Sequence, residues 1–119
     1  MAVSASFAAL LREQLAPLGQ ITVRRMFGGA GAYCDGLMFG LIARDTLYFK
    51  VDDGNRSRYE AEGMAAFTYE GRGKPIQMSY WQVPERLFDE PEEMVEWAQA
   101  ALAAARRAAE KSRRPRSRE

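Results

Sequence analysis

The groups that could do chemistry in this sequence include a glycine-rich run beside several cations. Glycines between Met26 and Gly31 would let backbone N–H groups approach a phosphate, with charge from Arg24, Arg25 or Lys50. A phosphate-binding glycine loop normally opens a helix, whereas the residues after this run read as a strand. We therefore favour a turn or bulge where only glycine fits, with an anion site as the alternative.

Histidine is absent from the sequence, and Cys34 is the only cysteine. Histidine is the commonest general base near neutral pH and a common metal ligand, so zinc sites and histidine-dependent nucleophiles are excluded for this chain alone. Lys50 could act as a nucleophile only if burial lowered its pKa, and its strand pattern favours a solvated face. We therefore expect no enzyme, no metal and no cofactor. One cysteine cannot form an internal disulfide, which fits a cytoplasmic protein.

Aromatic side chains offer a third kind of site. Tyr69, Tyr80 and Trp81 could form a platform on which nucleic-acid bases stack. Aromatic residues in strands more often pack the sheet against helices or a partner, and we favour that interpretation. The acidic run Glu90–Glu96 is explained by the start of a helix, where negative charge suits the dipole, rather than by a cation site.

Charge is distributed unevenly along the 119 residues. Residues 1–110 hold 12 basic and 15 acidic groups, which gives −3, while residues 111–119 hold five basic and one acidic, which gives +4. We expect one domain over residues 1–110 and a disordered basic tail over 111–119. The tail would give weak, salt-sensitive contact with nucleic acid or simply keep the chain soluble. No apolar run is long enough to span a membrane, so we expect no membrane contact.

The first half of the chain predicts one helix and four strands. Phe7, Leu11 and Leu15 recur at helical spacing, and Pro17 should end or kink that helix near Ala16. Short apolar runs then predict strands over 21–26, 30–35, 37–43 and 46–51. Asp35-Gly36 predicts a tight hairpin turn, and Asp45 lies at the next reversal.

The second half predicts a short helix, two strands and a long helix. Asp52 or Asp53 should cap the short helix, which runs through Tyr59. Strands follow over 67–70 and 75–83, and an amphipathic helix begins after Asp89. The order α-β-β-β-β-α-β-β-α predicts an α+β fold, in which helices pack on one face of an antiparallel β-sheet meander.

A series of motifs runs through the chain in the order Arg25-Met26-Phe27-Gly28-Gly29, Gly31, Tyr33, Gly36, Met38-Phe39, Leu47–Lys50, Phe67–Tyr69, Met78–Trp81, Val83-Pro84 and Trp97. By these motifs the chain resembles, from about residue 7 to 108, the N-terminal domain of TfoX/Sxy-type competence regulators. The resemblance implies a bacterial α+β domain with an antiparallel sheet and a role in regulating natural DNA uptake. Relatives with that role often carry a C-terminal helical domain. We expect a single-domain member without it.

The functional hypothesis is a non-enzymatic regulatory or interaction domain that acts through protein contacts. Its predicted surface comprises Arg25, Met26, Phe27, Gly28, Gly29, Lys50, Tyr80 and Trp81. The predicted partner is another protein, and a second copy could also bind through an open sheet edge. The alternatives are a nucleic-acid accessory protein that uses the tail, and a small-molecule sensor with a site near the glycine-rich run.

Overall fold

A six-stranded antiparallel sheet organises the part of the chain that the computed structural model describes, residues 5–26 and 28–113. The strands lie in the order β1-β2-β3-β4-β6-β5. Their bounds are β1 (Ile21–Met26), β2 (Gly29–Cys34), β3 (Leu37–Ala43), β4 (Thr46–Lys50), β5 (Ala66–Gly71) and β6 (Lys74–Gln82). The predicted α+β class and element order are confirmed.

The helices are α1 (Ala5–Gln14), α2 (Arg56–Ala61) and α3 (Pro91–Arg113). The first ends near the predicted point, and Pro17 lies in a short 3₁₀ helix over Ala16–Leu18. A second 3₁₀ helix, Glu85–Asp89, was not predicted, and it buries Leu87 completely. It carries the chain from the end of the sheet to the start of α3.

Three of the hairpin turns have positive φ at both central residues. The pairs are Asp35-Gly36, Arg44-Asp45 and Arg72-Gly73, with φ between 49° and 79°. These values are those of the type I′ turn, whose twist matches that of the flanking strands. The predicted Asp35-Gly36 turn is confirmed, and Arg44-Asp45 provides the next reversal.

Strands β1 to β4 form a sequential meander, and the last hairpin joins it through its second strand. β6 pairs with β4 only from Tyr80 to Gln82, and the Val51 N–H donates to the Ser79 carbonyl at 2.9 Å. Towards Lys74, β6 has only β5 as a neighbour. Residues 68–78 therefore project from the sheet as a two-stranded ribbon, which we call the β5–β6 arm.

The core lies between one face of the sheet and the helices. Leu11 of α1, Tyr59 of α2 and Met94 of α3 are fully buried in the same cluster as core-facing residues of the central strands. Those strand residues include Ala32, Phe39, Ile42, Leu47 and Phe49. The helices thus cover one face, as predicted.

The loop between β4 and α2 differs from the prediction. Neither Asp52 nor Asp53 occupies the N-cap position, which belongs to Asn55. Asn55 is 2% exposed; its side-chain oxygen accepts from the Asp52 N–H at 2.9 Å, and its Nδ2 donates to the Lys50 carbonyl at 3.0 Å. A buried amide therefore fixes the backbone just beyond Lys50, because an unpaired polar group there would be costly.

Helix α3 extends further than predicted. Residues 111–113, assigned to the tail in the sequence prediction, belong to the helix. The remainder of the predicted tail, residues 114–119, lies outside the described residues.

Candidate functional site

The glycine-rich run forms the turn between β1 and β2 and the start of β2. Gly28 has a φ of +80°, and a Cβ on Gly29 would lie 2.3 Å from the backbone oxygen of Ile42. Arg25 and Met26 precede the turn on the edge strand, where Arg25 is exposed. Phe27 lies outside the described residues. Because a strand follows the run, the favoured interpretation of a structural turn is supported, and the helix N-terminus of a phosphate loop is lacking.

Lys50 and Tyr80 are brought together by the pairing of β4 with β6. The Lys50 ammonium lies 5.2 Å from the Tyr80 ring centroid and donates to the Ser79 hydroxyl at 2.7 Å. The Tyr80 hydroxyl donates to the Met38 carbonyl at 3.3 Å. Burial is the main cause that lowers the pKa of Lys50, which Asp52 partly offsets. Burial, with a smaller contribution from Tyr33, raises the pKa of Tyr80 to about 12.

Trp81 lies on the opposite face of the sheet from Tyr80. Its Cα partner is the buried Phe49, and its ring centroid is 6.3 Å from that of Tyr59. Successive strand residues point to opposite faces, so Tyr80 and Trp81 cannot share one surface. Trp81 therefore contributes to packing the sheet against α2.

The turn between β1 and β2 also lies far from Lys50. The pairs Ala30↔Ile42 and Ala43↔Thr46 place that turn at the Thr46 end of β4. Lys50 is four residues further along the strand, which corresponds to about 13 Å. The structure thus groups Lys50 with Tyr80, and separates both from the glycine-rich run and from Trp81.

The face of the sheet that the helices leave uncovered carries large apolar side chains, most of which the predicted site did not include. By register and alternation, the side chains of this open face include those of Thr22, Arg24, Met26, Tyr33, Met38, Leu41, Thr46, Tyr48, Lys50, Phe67, Tyr69, Lys74, Ile76, Met78, Tyr80 and Gln82. The signal was present in the sequence as strict alternation, since Tyr48 and Lys50 lie opposite the buried Leu47 and Phe49.

Side chains of the open face pack against one another across strands. Tyr48 and Phe67 meet edge to face with centroids 5.0 Å apart, and the Arg24 guanidinium lies 5.6 Å from the Tyr33 ring centroid. Gly31 makes room for this layer, because a Cβ there would lie 3.0 Å from the Met38 sulfur. None of the side chains named for this face is acidic, so its formal charge is positive.

A comparison with protein families matches the part of the chain that holds these residues. The family model for the TfoX N-terminal domain matches residues 13–105, which include all six strands and most of α3. The chain belongs to this family. The resemblance carried by the glycine-rich run and the strand aromatics is thereby confirmed. No curated protein matches the chain.

Two shallow grooves lie elsewhere on this TfoX N-terminal domain. One, of about 610 Å³, lies between α1 and α3, and the other, of about 550 Å³, lies beside Phe7 and Phe88. Neither is lined by the glycine-rich run, Lys50 or Tyr80. In residues 5–26 and 28–113, no group of three or more cysteine and carboxylate side chains is placed to hold a metal. None of the helices in those residues is long and apolar enough to cross a membrane.

Proposed function

We propose that this TfoX N-terminal domain is a non-enzymatic regulatory module that binds another protein through the open face of its sheet. The supporting observation is the composition of that face, where tyrosine, methionine, leucine and phenylalanine take positions that usually carry polar residues. An antiparallel sheet covered on one side normally shows a polar second side. Contiguous apolar surface on a small domain typically marks an interaction site.

The charges on the open face define the chemistry of the proposed partner. Arg24 and Lys50 each lie close to a tyrosine ring, and no carboxylate accompanies them on this face. Tyrosine, arginine and methionine are the side chains that protein interfaces favour at their centres. The matching surface of the partner would present acidic side chains among apolar ones. The acidic side chains would pair with Arg24 and Lys50, and the apolar side chains would cover the tyrosine rings.

Family membership supports the regulatory part of the proposal. The resemblance to competence regulators implies a role in controlling natural DNA uptake. We propose that the partner protein acts in that process. The lack of histidine in the sequence supports a non-enzymatic role, and the single cysteine suits a cytoplasmic location. The β1–β2 turn, with Arg25 and Met26, stays a predicted second point of contact.

Single-stranded nucleic acid is the competing ligand for a face of this kind. Aromatic rings with neighbouring cations also stack bases and hold phosphates. The negative formal charge of residues 1–110 favours a protein partner, because nucleic-acid-binding domains are usually basic overall. The experiment must therefore separate the two classes of ligand.

Site-specific photocrosslinking in the native cell tests the proposal. A benzophenone amino acid replaces Tyr48 on the open face or, as a control, the exposed Gln99 of α3. We expect the probe at position 48 to capture one defined protein that the probe at position 99 does not capture. Arg24→Glu should reduce this capture severalfold, whereas Arg12→Glu, the same change on the exposed side of α1, should leave it unchanged.

Two outcomes would overturn the proposal. The first is equal capture at positions 48 and 99, and the second is capture of nucleic acid rather than protein at position 48. The melting temperature of each variant shows that it is folded, so a lost crosslink reports on the surface alone.

A further inference from the structure

The β5–β6 arm exposes apolar side chains without support from the rest of the domain. Tyr69 is 49% exposed and Ile76 is 37% exposed, on paired positions of the two strands. The five residue-to-residue steps from Lys74 to Ser79 correspond to a projection of about 17 Å. A lone two-stranded ribbon is only marginally stable in water, so this arm would gain from a surface that covers its apolar side.

A groove of matching character lies on the helical side of the domain. This α1–α3 groove, the one of about 610 Å³, is lined mainly by apolar and acidic residues. Leu10, 39% exposed, lies in it and also borders the second groove. The lining residues are Leu10, Glu13, Gln14, Pro17, Pro91, Glu92 and Val95.

The charges of the arm and of the groove are complementary. Arg72 and Lys74 lie at the tip of the arm, whereas Glu13 and Glu92 line the groove. None of these four side chains takes part in an ion pair within the described part of the chain. A contact between the two surfaces would pair both sets of charges while it buries Tyr69, Ile76 and the exposed Leu10.

The arm of one chain is directed away from the grooves of the same chain. Gln82, the last residue of β6, and Val83, which follows it, border the groove that adjoins the α1–α3 groove at Leu10. Lys74, at the tip of the arm, lies eight residues from Gln82 along the same strand, which corresponds to about 26 Å. Complementary surfaces at opposite ends of one extended strand can meet only between two copies.

We infer that the β5–β6 arm of one copy docks in the α1–α3 groove of a second copy. The apolar side of the arm covers Leu10, and Arg72 and Lys74 pair with Glu13 and Glu92. A two-fold arrangement satisfies both arms and both grooves at once and closes the assembly as a dimer. This self-association uses the β5–β6 end of the open face, with Tyr69 and Ile76, and leaves strands β1 to β4 of that face uncovered, so it can be tested separately from the proposed function.

Charge reversal with complementation tests the inference on the full-length chain. Sedimentation velocity across a wide range of concentrations should show a monomer–dimer equilibrium. Arg72→Glu/Lys74→Glu on the arm, and separately Glu13→Lys/Glu92→Lys in the groove, should each weaken dimerisation at least tenfold. Mixing the two reversed variants should restore association as a heterodimer, because each arm then meets a groove of opposite charge.

The controls separate a specific contact from a general charge effect. Glu96→Lys/Glu110→Lys makes the same change at exposed positions of α3 outside the groove and should leave dimerisation unchanged. Tyr69→Ser/Ile76→Ser should weaken it without any change of charge. A native chain that stays monomeric throughout, or a dimer that both reversals leave intact, would overturn the inference. Neither result bears on the open-face crosslink at position 48, so the two proposals can fail separately.

Discussion

Tyr59 places a hydroxyl in the core without a hydrogen-bond partner among the described residues. The side chain is fully buried, and its ring meets Trp97 edge to face with centroids 4.6 Å apart. Its ring therefore contributes packing energy, while the hydroxyl loses its hydration with no replacement. Burial raises the pKa of this hydroxyl well above its usual value near 10.

Tyr59→Phe should stabilise the domain. Removing an unsatisfied buried hydroxyl while keeping the ring should raise the free energy of unfolding by about 1 kcal/mol, measured by urea denaturation at neutral pH. The gain should increase above pH 10. In the unmutated protein, Tyr59 can then release its proton in the unfolded state but not in the folded state. That release destabilises the native protein by about 1.4 kcal/mol per pH unit for one group, until the pH reaches the raised pKa of the folded state.

The control for Tyr59→Phe is Tyr59→Ala, which removes the ring as well. It should cost about 3–5 kcal/mol, as is usual when a buried aromatic side chain is lost. A Phe variant less stable than the native chain would show that the hydroxyl has a partner. A stability difference that stays constant from pH 7 to pH 12 would contradict the raised pKa.

Helix α3 is held to the end of β4 by an ion pair of favourable geometry. The Arg107 Nε and Nη2 donate to the two carboxylate oxygens of Asp52 at 2.7 and 2.8 Å. The Gly54 N–H also donates to Asp52 at 2.9 Å. The hydrogen bond from Arg107 is the main cause that holds the pKa of Asp52 below its usual value. This contact joins the loop fixed by Asn55 to the last turns of the helix.

Arg107→Ala should lower the free energy of unfolding by about 1 kcal/mol at neutral pH, since the pair is bidentate but partly exposed. Because the folded-state pKa of Asp52 is depressed, the electrostatic part of this contribution is complete above the unfolded-state value of about 4. It should fade as the pH falls through the depressed pKa. Thermal or urea unfolding of both proteins at several acidic pH values measures the difference.

Arg106→Ala is the matched control for Arg107→Ala. Arg106 is the next residue of α3, and it reaches Asp35 at 3.4 Å with both side chains largely exposed. We expect a change below about 0.5 kcal/mol at any pH, as for most surface pairs. If Arg107→Ala lowers the free energy of unfolding as much in acid as at neutral pH, the contribution of Arg107 comes from packing of its side-chain stem and not from the ion pair.

The elements of this fold were predictable because their signals are local. Alternation predicted the strands, Asp35-Gly36 predicted its turn, and the acidic start predicted α3. The grouping of site residues was not predictable in the same way, because it depends on register between strands distant in sequence. Lys50 meets Tyr80 only because β6, and not β5, pairs with β4. The same pairing turns Trp81 towards the core.

The molecule as a whole is asymmetric in how its sheet is supported. One face of β3 and β4 packs against α3, and each of these two strands also pairs with a neighbouring strand along both of its edges. The β5–β6 arm has neither kind of support, since its two strands pair only with each other beyond Ser79. Local stability should therefore decrease from the centre of the sheet to the tip of the arm.

Hydrogen exchange measured by NMR on dilute protein should reveal this gradient. Paired amides of the arm, such as those of Tyr69 and Ile76, should exchange through local opening with free energies well below the global value. Amides of Ile42 and Phe49 should exchange only through global unfolding, because opening them exposes the core.

In concentrated samples, where the arm docks in the groove of a second copy, the protection of the arm amides should rise while that of Ile42 changes little. Arm amides as slow as those of β3 in the dilute monomer would contradict the view that the ribbon lacks support of its own. Protection that rises equally in the Arg72→Glu/Lys74→Glu variant would show that something other than the groove covers the arm.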